Sequence, residues 1–396
     1  MSKVVIGTAA RTPFGNFGGA LKHFTVPELG AKALRGTLDR AGLSGEEVDE
    51  IAFGVNFPGG DRSITRQAML QAGLPEERVA YTVDRACCSS MAAINLIARG
   101  IRCGDVRIGV AGGAENLSAV PYFIPQVRWG NKLGDITLKD QLVISCPHTG
   151  VPRAVQAGNE AKEFAIGREE QDAWALQSHQ RYFAALDAGK LKDELLPLTV
   201  EGKNGDVVLE SDEPARRDTS LEKLARLKTV YASPSVTPGN APGLNTGASA
   251  LLMMDEEEAS RRGMKPLARY VAGVMVSGHP HKLASIPAIA AQAALKKAGL
   301  RLDQIDLIEI NEAFAAMPLV STHVLGGGDE QTIERLRSRT NVNGGAIAIG
   351  HPTGASAARL VMTLAYELRR SGKRYGLATI CGGIGEGEAV IIESLT

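Results

Sequence analysis

Three short runs carry residues able to do chemistry. The first is Val83-Asp84-Arg85-Ala86-Cys87-Cys88-Ser89-Ser90, leading into the apolar helical pattern Met91-Ala92-Ala93-Ile94-Asn95-Leu96-Ile97. It predicts Cys87 at or just before a helix N-terminus, where the macrodipole and free N–H groups favour a nucleophilic thiolate. The bland alternative is a small core residue, the common role of an unpaired cysteine. The second run is Asn341-Val342-Asn343-Gly344-Gly345-Ala346-Ile347-Ala348-Ile349-Gly350-His351-Pro352, which enters a helix through Ala357, Leu360, Leu364 and Leu368. His351 at a helix start is favoured as a neutral imidazole and suits a general base, with a capped structural histidine as the competing reading. These glycines lack the GxGxxG spacing of a phosphate loop. The third run, Ile380-Cys381-Gly382-Gly383-Ile384-Gly385-Glu386-Gly387, lets backbone N–H groups approach a ligand beside an accessible thiol. It equally fits a tight turn before a last strand, Ala389 to Glu393, and a strand in that place disfavours a dinucleotide site.

An internal repeat supplies elements that bring these runs together. Leu38 to Phe53, LDRAGLSGEEVDEIAF, matches Leu295 to Ile310, LKKAGLRLDQIDLIEI, each reading as a helix end, an AGL turn, a short acidic linker and a buried strand. Ile108 to Ala114, IGVAGGA, echoes Ala378 to Ile384, ATICGGI, as an apolar strand entering a Gly-Gly turn. Two echoes in the same order predict a duplicated α/β unit. Cys87 starts the helix leading to the first Gly-Gly strand and His351 starts the helix leading to the second. Equivalent helix starts from related halves face each other across a pseudo-twofold axis, so nucleophile and base meet at one interface.

The halves are expected over residues 1–115 plus 232–262 and over 263–396. The intervening segment, 116–231, changes character: Pro121, Pro125, Pro147 and Pro152, an amphipathic helix around Arg168 to Ala188, and the charged stretch Glu210 to Lys228. That composition predicts an inserted loop domain for binding or assembly, without a third core.

Bulk properties exclude several function classes. The 44 Lys plus Arg balance 44 Asp plus Glu, so no net field favours nucleic acid or an anionic membrane. No apolar run approaches the ~18 residues of a membrane span, and none follows a basic patch at the start, which predicts a cytoplasmic protein. The five cysteines, with Cys87 and Cys88 adjacent and Cys103, Cys146 and Cys381 scattered, form neither a disulfide framework nor a metal knuckle. A cysteine that matters here matters as a thiol.

Over essentially its whole length the chain resembles the thiolase family. The nucleophile motif resembles Cys87-Cys88-Ser89-Ser90, NEAFA stands at Asn311-Glu312-Ala313-Phe314-Ala315, GHP at Gly350-His351-Pro352, and the C-terminal CGGxGxG motif at Cys381 to Gly387. A ketoacyl synthase, a related condensing enzyme, is not expected to carry Cys381. The resemblance implies an α/β fold with a duplicated five-layered α-β-α-β-α core and a loop domain folding over coenzyme A, a co-substrate with no permanently held cofactor or metal. It implies Cys87 as nucleophile, His351 as its base, Cys381 as the second acid/base, Asn311 with a water as an enolate donor, and the backbone N–H groups of Cys87 and Gly383 as oxyanion donors. It further implies acyl-CoA and coenzyme A as partners and a homodimer or homotetramer.

Departures from the family pattern concern the substrate. Ser90 replaces a customary Gly, Cys88 a Gly or Ala, and Asp84 an Asn, which alters packing beneath the nucleophile. Arg153 occupies the place of a pocket methionine, Leu283-Ala284-Ser285-Ile286-Pro287 that of MGxGP, and Pro242 that of a Ser. Arg153 either pairs with a substrate carboxylate or polar substituent, faces solvent, or contacts a coenzyme A phosphate. Lys228 and His148 are the candidates for the carrier's nucleotide end. The main expectation is cleavage or condensation of a 3-oxoacyl-CoA. The alternatives are a carboxylated, branched or aromatic (benzoylsuccinyl-CoA-like) ester handled with a small OB-fold or zinc-ribbon subunit, and a non-catalytic acyl-CoA-binding scaffold.

Overall fold

The computed structural model describes residues 3–143, 145–202 and 205–395, so Met1, Ser2 and Thr396 of the segments assigned above lie outside the described residues. Alternation along the strands sets the layers. In β1 (Val4–Arg11), Val4 and Ile6 join one apolar cluster and Val5 joins another, because successive side chains leave a strand on opposite faces. The sheet continues through β2 (Glu50–Gly54), β3 (Val79–Val83), β4 (Ile108–Asn116), β5 (Asn245–Asp255), β6 (Ala268–Ser277), β7 (Leu307–Ile310), β8 (Tyr375–Gly382) and β9 (Glu386–Ser394). Their order is β7-β8-β9-β6-β1-β5-β4-β2-β3.

The duplication is visible in that order. Outward from the centre, β1 pairs antiparallel with β5, β5 antiparallel with β4, and β4 parallel with β2. On the other side β6 pairs antiparallel with β9, β9 antiparallel with β8, and β8 parallel with β7. The halves join where β1 meets β6 at Val4–Tyr270, Val5–Arg269 and Ile6–Ala268.

The helices that build the core and the site are α1 (Val26–Ala41), α2 (Ile64–Gln71), α3 (Ser89–Cys103), α4 (Arg153–Glu163), α5 (Arg168–Asp187), α6 (Ile286–Ala298), α7 (Ala316–Leu325) and α8 (Thr353–Ser371). The repeated AGL turns end α1 and α6 at Gly42 (φ 65°) and Gly299 (φ 66°), a left-handed conformation that glycine adopts without steric cost. Layering follows from amphipathicity. Helices α1 and α2 cover the outer face of the first half-sheet and α6 that of the second, while α3 and α8 lie between the two. The central cluster unites Met91, Ile94 and Ile97 of α3 with Leu360, Val361 and Leu364 of α8, Leu251 and Met253 of β5, and Ile380, Val390 and Ile392 of the second half. The result is the five-layered α-β-α-β-α arrangement.

Among the described residues of segment 116–231, the apolar side chains of α4 and α5 pack with the C-terminal half. Ala154, Ala157, Ala161, Ile166, Trp174 and Ala175 share one cluster with Ala284, Ile286, Ala315, Ala316 and Met317 of the C-terminal half. Helix α5 differs from the amphipathic expectation, because its buried residues include Gln171, Asp172, Ser178 and His179 beside Trp174 and Tyr182. It packs against polar groups of the site.

Backbone approaches backbone closely where the halves meet. A Cβ on Gly113 would stand 2.0 Å from the Gly354 carbonyl oxygen and 2.7 Å from that of Gly54, and one on Gly354 would stand 2.6 Å from the Gly54 oxygen. The end of β4 thus seats the first turn of α8. Gly113→Ala is expected to destabilise the fold by about 1–3 kcal/mol or more through overpacking, read as a lower urea midpoint. Leu360→Ala in the central layer should cost about 2–5 kcal/mol.

Candidate active site

The turn that carries Cys87 is built between β3 and α3. Helix α3 begins at Ser89 and its N-cap is Cys88, which leaves Cys87 two residues short of the helix. Ala86 takes a left-handed φ of 49°, a conformation uncommon for a residue with a Cβ and one that clusters at functional sites. Local bonds hold it. The Ala86 N–H donates to Asp84 Oδ1 (3.1 Å), Ser89 Oγ accepts from the Arg85 N–H (2.8 Å), and the Ser89 hydroxyl donates to the Ala86 carbonyl (2.5 Å).

Two residues that sequence reasoning passed over bolt this turn to the other half. The Arg85 guanidinium pairs with Glu388 and, at 3.3 Å, with Glu386, and donates to the Val276 carbonyl at 3.1 Å. Glu388 is fully buried and also accepts from Asn95 Nδ2 (2.9 Å), whose Oδ1 accepts from the Tyr270 hydroxyl (2.6 Å). Because Gly387 pairs with Cys381 across β8 and β9, this network ties the Cys87 turn to the strand bearing the second thiol. The available signal was a glutamate directly before the apolar run Ala389 to Ile392 of the last strand. Cys88 lies beneath, its Sγ 3.7 Å from the Ile380 carbonyl.

The two helix starts meet directly, since the Ala358 N–H of α8 donates to Ser90 Oγ of α3 at 3.0 Å. Glu115, at the end of β4, accepts from the Gly354 N–H (2.9 Å) and the Thr353 hydroxyl (2.7 Å), satisfying donors at the N-terminus of α8. It also accepts from the Asn56 and Phe57 N–H groups, so it fixes the loop after β2.

His351 precedes α8 by two residues and is buried. Its N–H donates to Asn245 Oδ1 at 2.8 Å. The ring Nδ1 lies 2.6 Å from Ser356 Oγ, and the Ser356 hydroxyl donates its one proton to the Pro352 carbonyl at 2.9 Å. Nδ1 therefore carries the ring proton, and Nε2 is left with a lone pair. Burial, reinforced by the Arg359 charge, lowers the imidazole to about 3, so the ring is neutral at physiological pH. Nε2 stands 3.4 Å from Asn311 Nδ2. The Asn311 Oδ1 is buried without a partner among the described residues.

Asn311 is held from below. Its N–H donates to the Thr379 carbonyl at 3.1 Å. The neighbouring Glu312 accepts from Trp174 Nε1 (2.9 Å), Ser178 Oγ (2.8 Å), Asn341 Nδ2 (2.9 Å) and the Ile347 N–H (3.0 Å). Four donors occupy the lone pairs of its two oxygens. This knot accounts for Trp174 and Ser178 on the buried face of α5 and for one glycine before His351, since a Cβ on Gly345 would lie 2.1 Å from the Glu312 carboxyl carbon. Glu312 was visible only as part of NEAFA.

The two thiols are protonated. Burial raises Cys87 to about 12, with the Arg153 charge opposing and Glu115 and Asp84 reinforcing the rise. Burial, with the neighbouring Cys87, likewise raises Cys381 above the ordinary thiol range. Cys87 stands just before α3, and desolvation there opposes the thiolate that the helix start favours.

Among the remaining candidates, Arg153 opens α4 and lies over Gly383, where a Cβ would be 2.7 Å from its Nη2. Leu283 is buried in the cluster that contains Cys381, and its N–H donates to Glu160 Oε2 at 2.7 Å. Glu160, also missed, accepts from the Ala284 and Ser285 N–H groups and caps α6. Pro242 is half-buried. His148 and Lys228 are exposed, and their side chains make no hydrogen bond or ion pair among the described residues. No protein acceptor is found among the described residues for the N–H of Cys87 or of Gly383.

The neutral histidine has a consequence for stability. It ionises near its ordinary value, about 6.5, in the unfolded chain but only near 3 in the folded one. The unfolded state thus binds more protons between those values, and the contribution present above about pH 6.5 is lost as pH falls towards 3. His351→Gln should flatten the decline in urea midpoint over that window; an unchanged slope would refute the burial argument.

Comparison with known proteins agrees with this geometry. Residues 4–257 match the thiolase N-terminal domain and residues 264–394 the thiolase C-terminal domain. An acetyl-CoA acetyltransferase of Syntrophomonas wolfei is 40% identical, with 99% of each chain covered. The crystal structure of Bacillus anthracis acetyl-CoA acetyltransferase superimposes with a TM-score of 0.95 at 38% identity, covering 100% of this chain and 99% of that one. Human mitochondrial 3-ketoacyl-CoA thiolase does so with a TM-score of 0.94 at 40% identity, covering 99% of both. Its sequence over nearly its full length and its doubled fold place the chain in the thiolase family.

Proposed function

We propose that this thiolase, a coenzyme-A-dependent acyltransferase, carries out the reversible cleavage and condensation of 3-oxoacyl thioesters with Cys87, His351, Cys381 and Asn311. The observation that carries the assignment is the His351 lone pair, fixed by Ser356 and set beside the Asn311 amide. In the degradative direction Nε2 takes the Cys87 proton as the sulfur attacks the 3-oxo carbon. A general base is required because the thiol is protonated in the free enzyme. The N–H groups of Cys87 and Gly383 receive the tetrahedral oxyanion.

Collapse breaks the bond to the α-carbon and leaves its electron pair on the departing thioester as an enolate. Protonated His351 and Asn311, through a water, stabilise the enolate oxygen. Cys381 then donates its proton to the α-carbon, a role suited to a thiol that burial keeps protonated. Coenzyme A gives its thiol proton to Cys381 and attacks the acyl group on Cys87, which leaves as the free thiol once reprotonated.

Support for a homodimer or homotetramer comes from the insertion, where Trp129 is 87% and Leu133 93% exposed beside Ile136 and Leu138. Apolar patches of this kind mark protein contacts. Coenzyme A is used as a substrate and no permanently held cofactor is invoked. A cytoplasmic location fits the finding that no helix among the described residues is long and apolar enough to cross a membrane. The relatives reported above are named as acetyltransferases or thiolases, which favours neither a non-catalytic scaffold nor a small partner subunit.

Incubation with a 3-oxoacyl-CoA should add one acyl group to the intact mass, mapped to Cys87 and absent in Cys87→Ala. Asn311→Ala should lower kcat about 10²–10³-fold, the usual cost of losing one oxyanion donor. Acylation mapped to another cysteine would defeat the assignment. Light scattering should give a mass above the monomer, and Trp129→Ser with Leu133→Ser should shift it downward.

A further inference from the structure

Arg153 brings an unmatched charge to the two thiols. Among the described residues its one side-chain hydrogen bond is Nη1 to the neutral Gln156 Oε1 at 3.0 Å, and no carboxylate pairs with it. The guanidinium is half-buried and rests on Gly383, two residues from Cys381. Its field is felt at both Cys87 and Cys381.

Elsewhere the chain gives its buried and half-buried guanidinium groups carbonyl or carboxylate acceptors, Arg66, Arg102, Arg181 and Arg339 through backbone carbonyls and others through carboxylates. Arg11 pairs with Glu194 and Asp212, Arg359 with Glu309, and Arg85 with Glu386 and Glu388. A partly desolvated cation without a counter-ion is costly unless something arrives to pair with it. Most of its N–H donors remain available, in the planar fork that suits a carboxylate.

We infer that Arg153 selects 3-oxoacyl-CoA esters whose acyl chain carries a carboxylate, and holds that carboxylate in a two-point hydrogen bond. The inference rests on the thiolase reaction proposed above and names its substrate class. The competing anions are the phosphates of coenzyme A. They are separated from the reacting thioester by the whole pantetheine arm, so a guanidinium on Gly383 beside Cys381 faces the acyl end. Its place over the proposed oxyanion donor Gly383 also puts it beside the carbonyl that Cys87 attacks. The acyl chain that begins at that carbonyl is therefore the part of the substrate within its reach.

The test compares thiolysis of carboxylate-ended 3-oxoacyl-CoA esters with methyl-ended esters of matched length, over a graded series of lengths, by the full-length enzyme. At the best length the acid should exceed its neutral partner in kcat/KM by roughly tenfold to hundredfold, the range of one charge-assisted pairing, mainly through KM. Arg153→Met should bring the ratio to about one whatever the absolute rates, and Arg153→Lys should restore part of it. Circular dichroism melting verifies that each variant is folded. A wild-type ratio near one at every length, or a ratio that survives Arg153→Met, overturns the inference while leaving the thiolase reading intact. Absence of thiolysis on every ester sinks that reading and this inference with it.

Discussion

The site depends on a close backbone approach between the two halves of the chain. Gly54, Gly113 and Gly354 let the ends of β2 and β4 touch the first turn of α8. Ser90 and Ala358 hydrogen-bond the two central helices at their starts. A side chain at Gly113 or Gly354 would hold the halves apart, and one at Gly54 would strike the start of α3 at Ser89 and Ser90. Glu115 converts the contact into a defined geometry, because one buried carboxylate binds both the loop after β2 and the N-terminus of α8. The position of His351 relative to the Cys87 turn follows from these few contacts.

Dehydration of that seam sets the protonation states. Two thiols and an imidazole are all held neutral, the sulfurs pushed up and the ring pushed down by the same loss of water. Neutral partners suit a reaction that needs a base at one moment and an acid at another. Other buried carboxyl groups are matched by donors: Glu312 by four, Glu388 by Arg85 and Asn95, and Glu160 by the start of α6. Arg153 departs from this rule, its guanidinium lying over Gly383 with no carboxylate partner among the described residues.

Much of the architecture could be read from short windows of sequence. The two AGL turns end helices at left-handed glycines, and the Gly-Gly strands are β4 and β8 in equivalent positions of the two half-sheets. Cys381 on the strand beside the Cys87 turn, and His351 before α8, were likewise apparent from apolar runs adjoining glycines. The buried carboxylates were harder to see. Glu115, Glu312 and Glu388 look in sequence like breaks in apolar patterns, and their hydrogen-bond partners lie far along the chain. The desolvation of Cys87 was not legible, because a helix dipole is a local property, whereas desolvation is the work of every surrounding element.

By itself, then, the sequence determined the repeated strand and helix order, the glycine-ended helices and the residues with chemical capacity, because side-chain periodicity and allowed dihedral angles are set within a few residues. Only the tertiary structure decided that Ser356 fixes the His351 tautomer, that burial keeps both sulfurs protonated, and that Arg153 lies over Gly383. Those outcomes depend on distances across the fold and on the exclusion of water, which exist only once the halves have closed on one another.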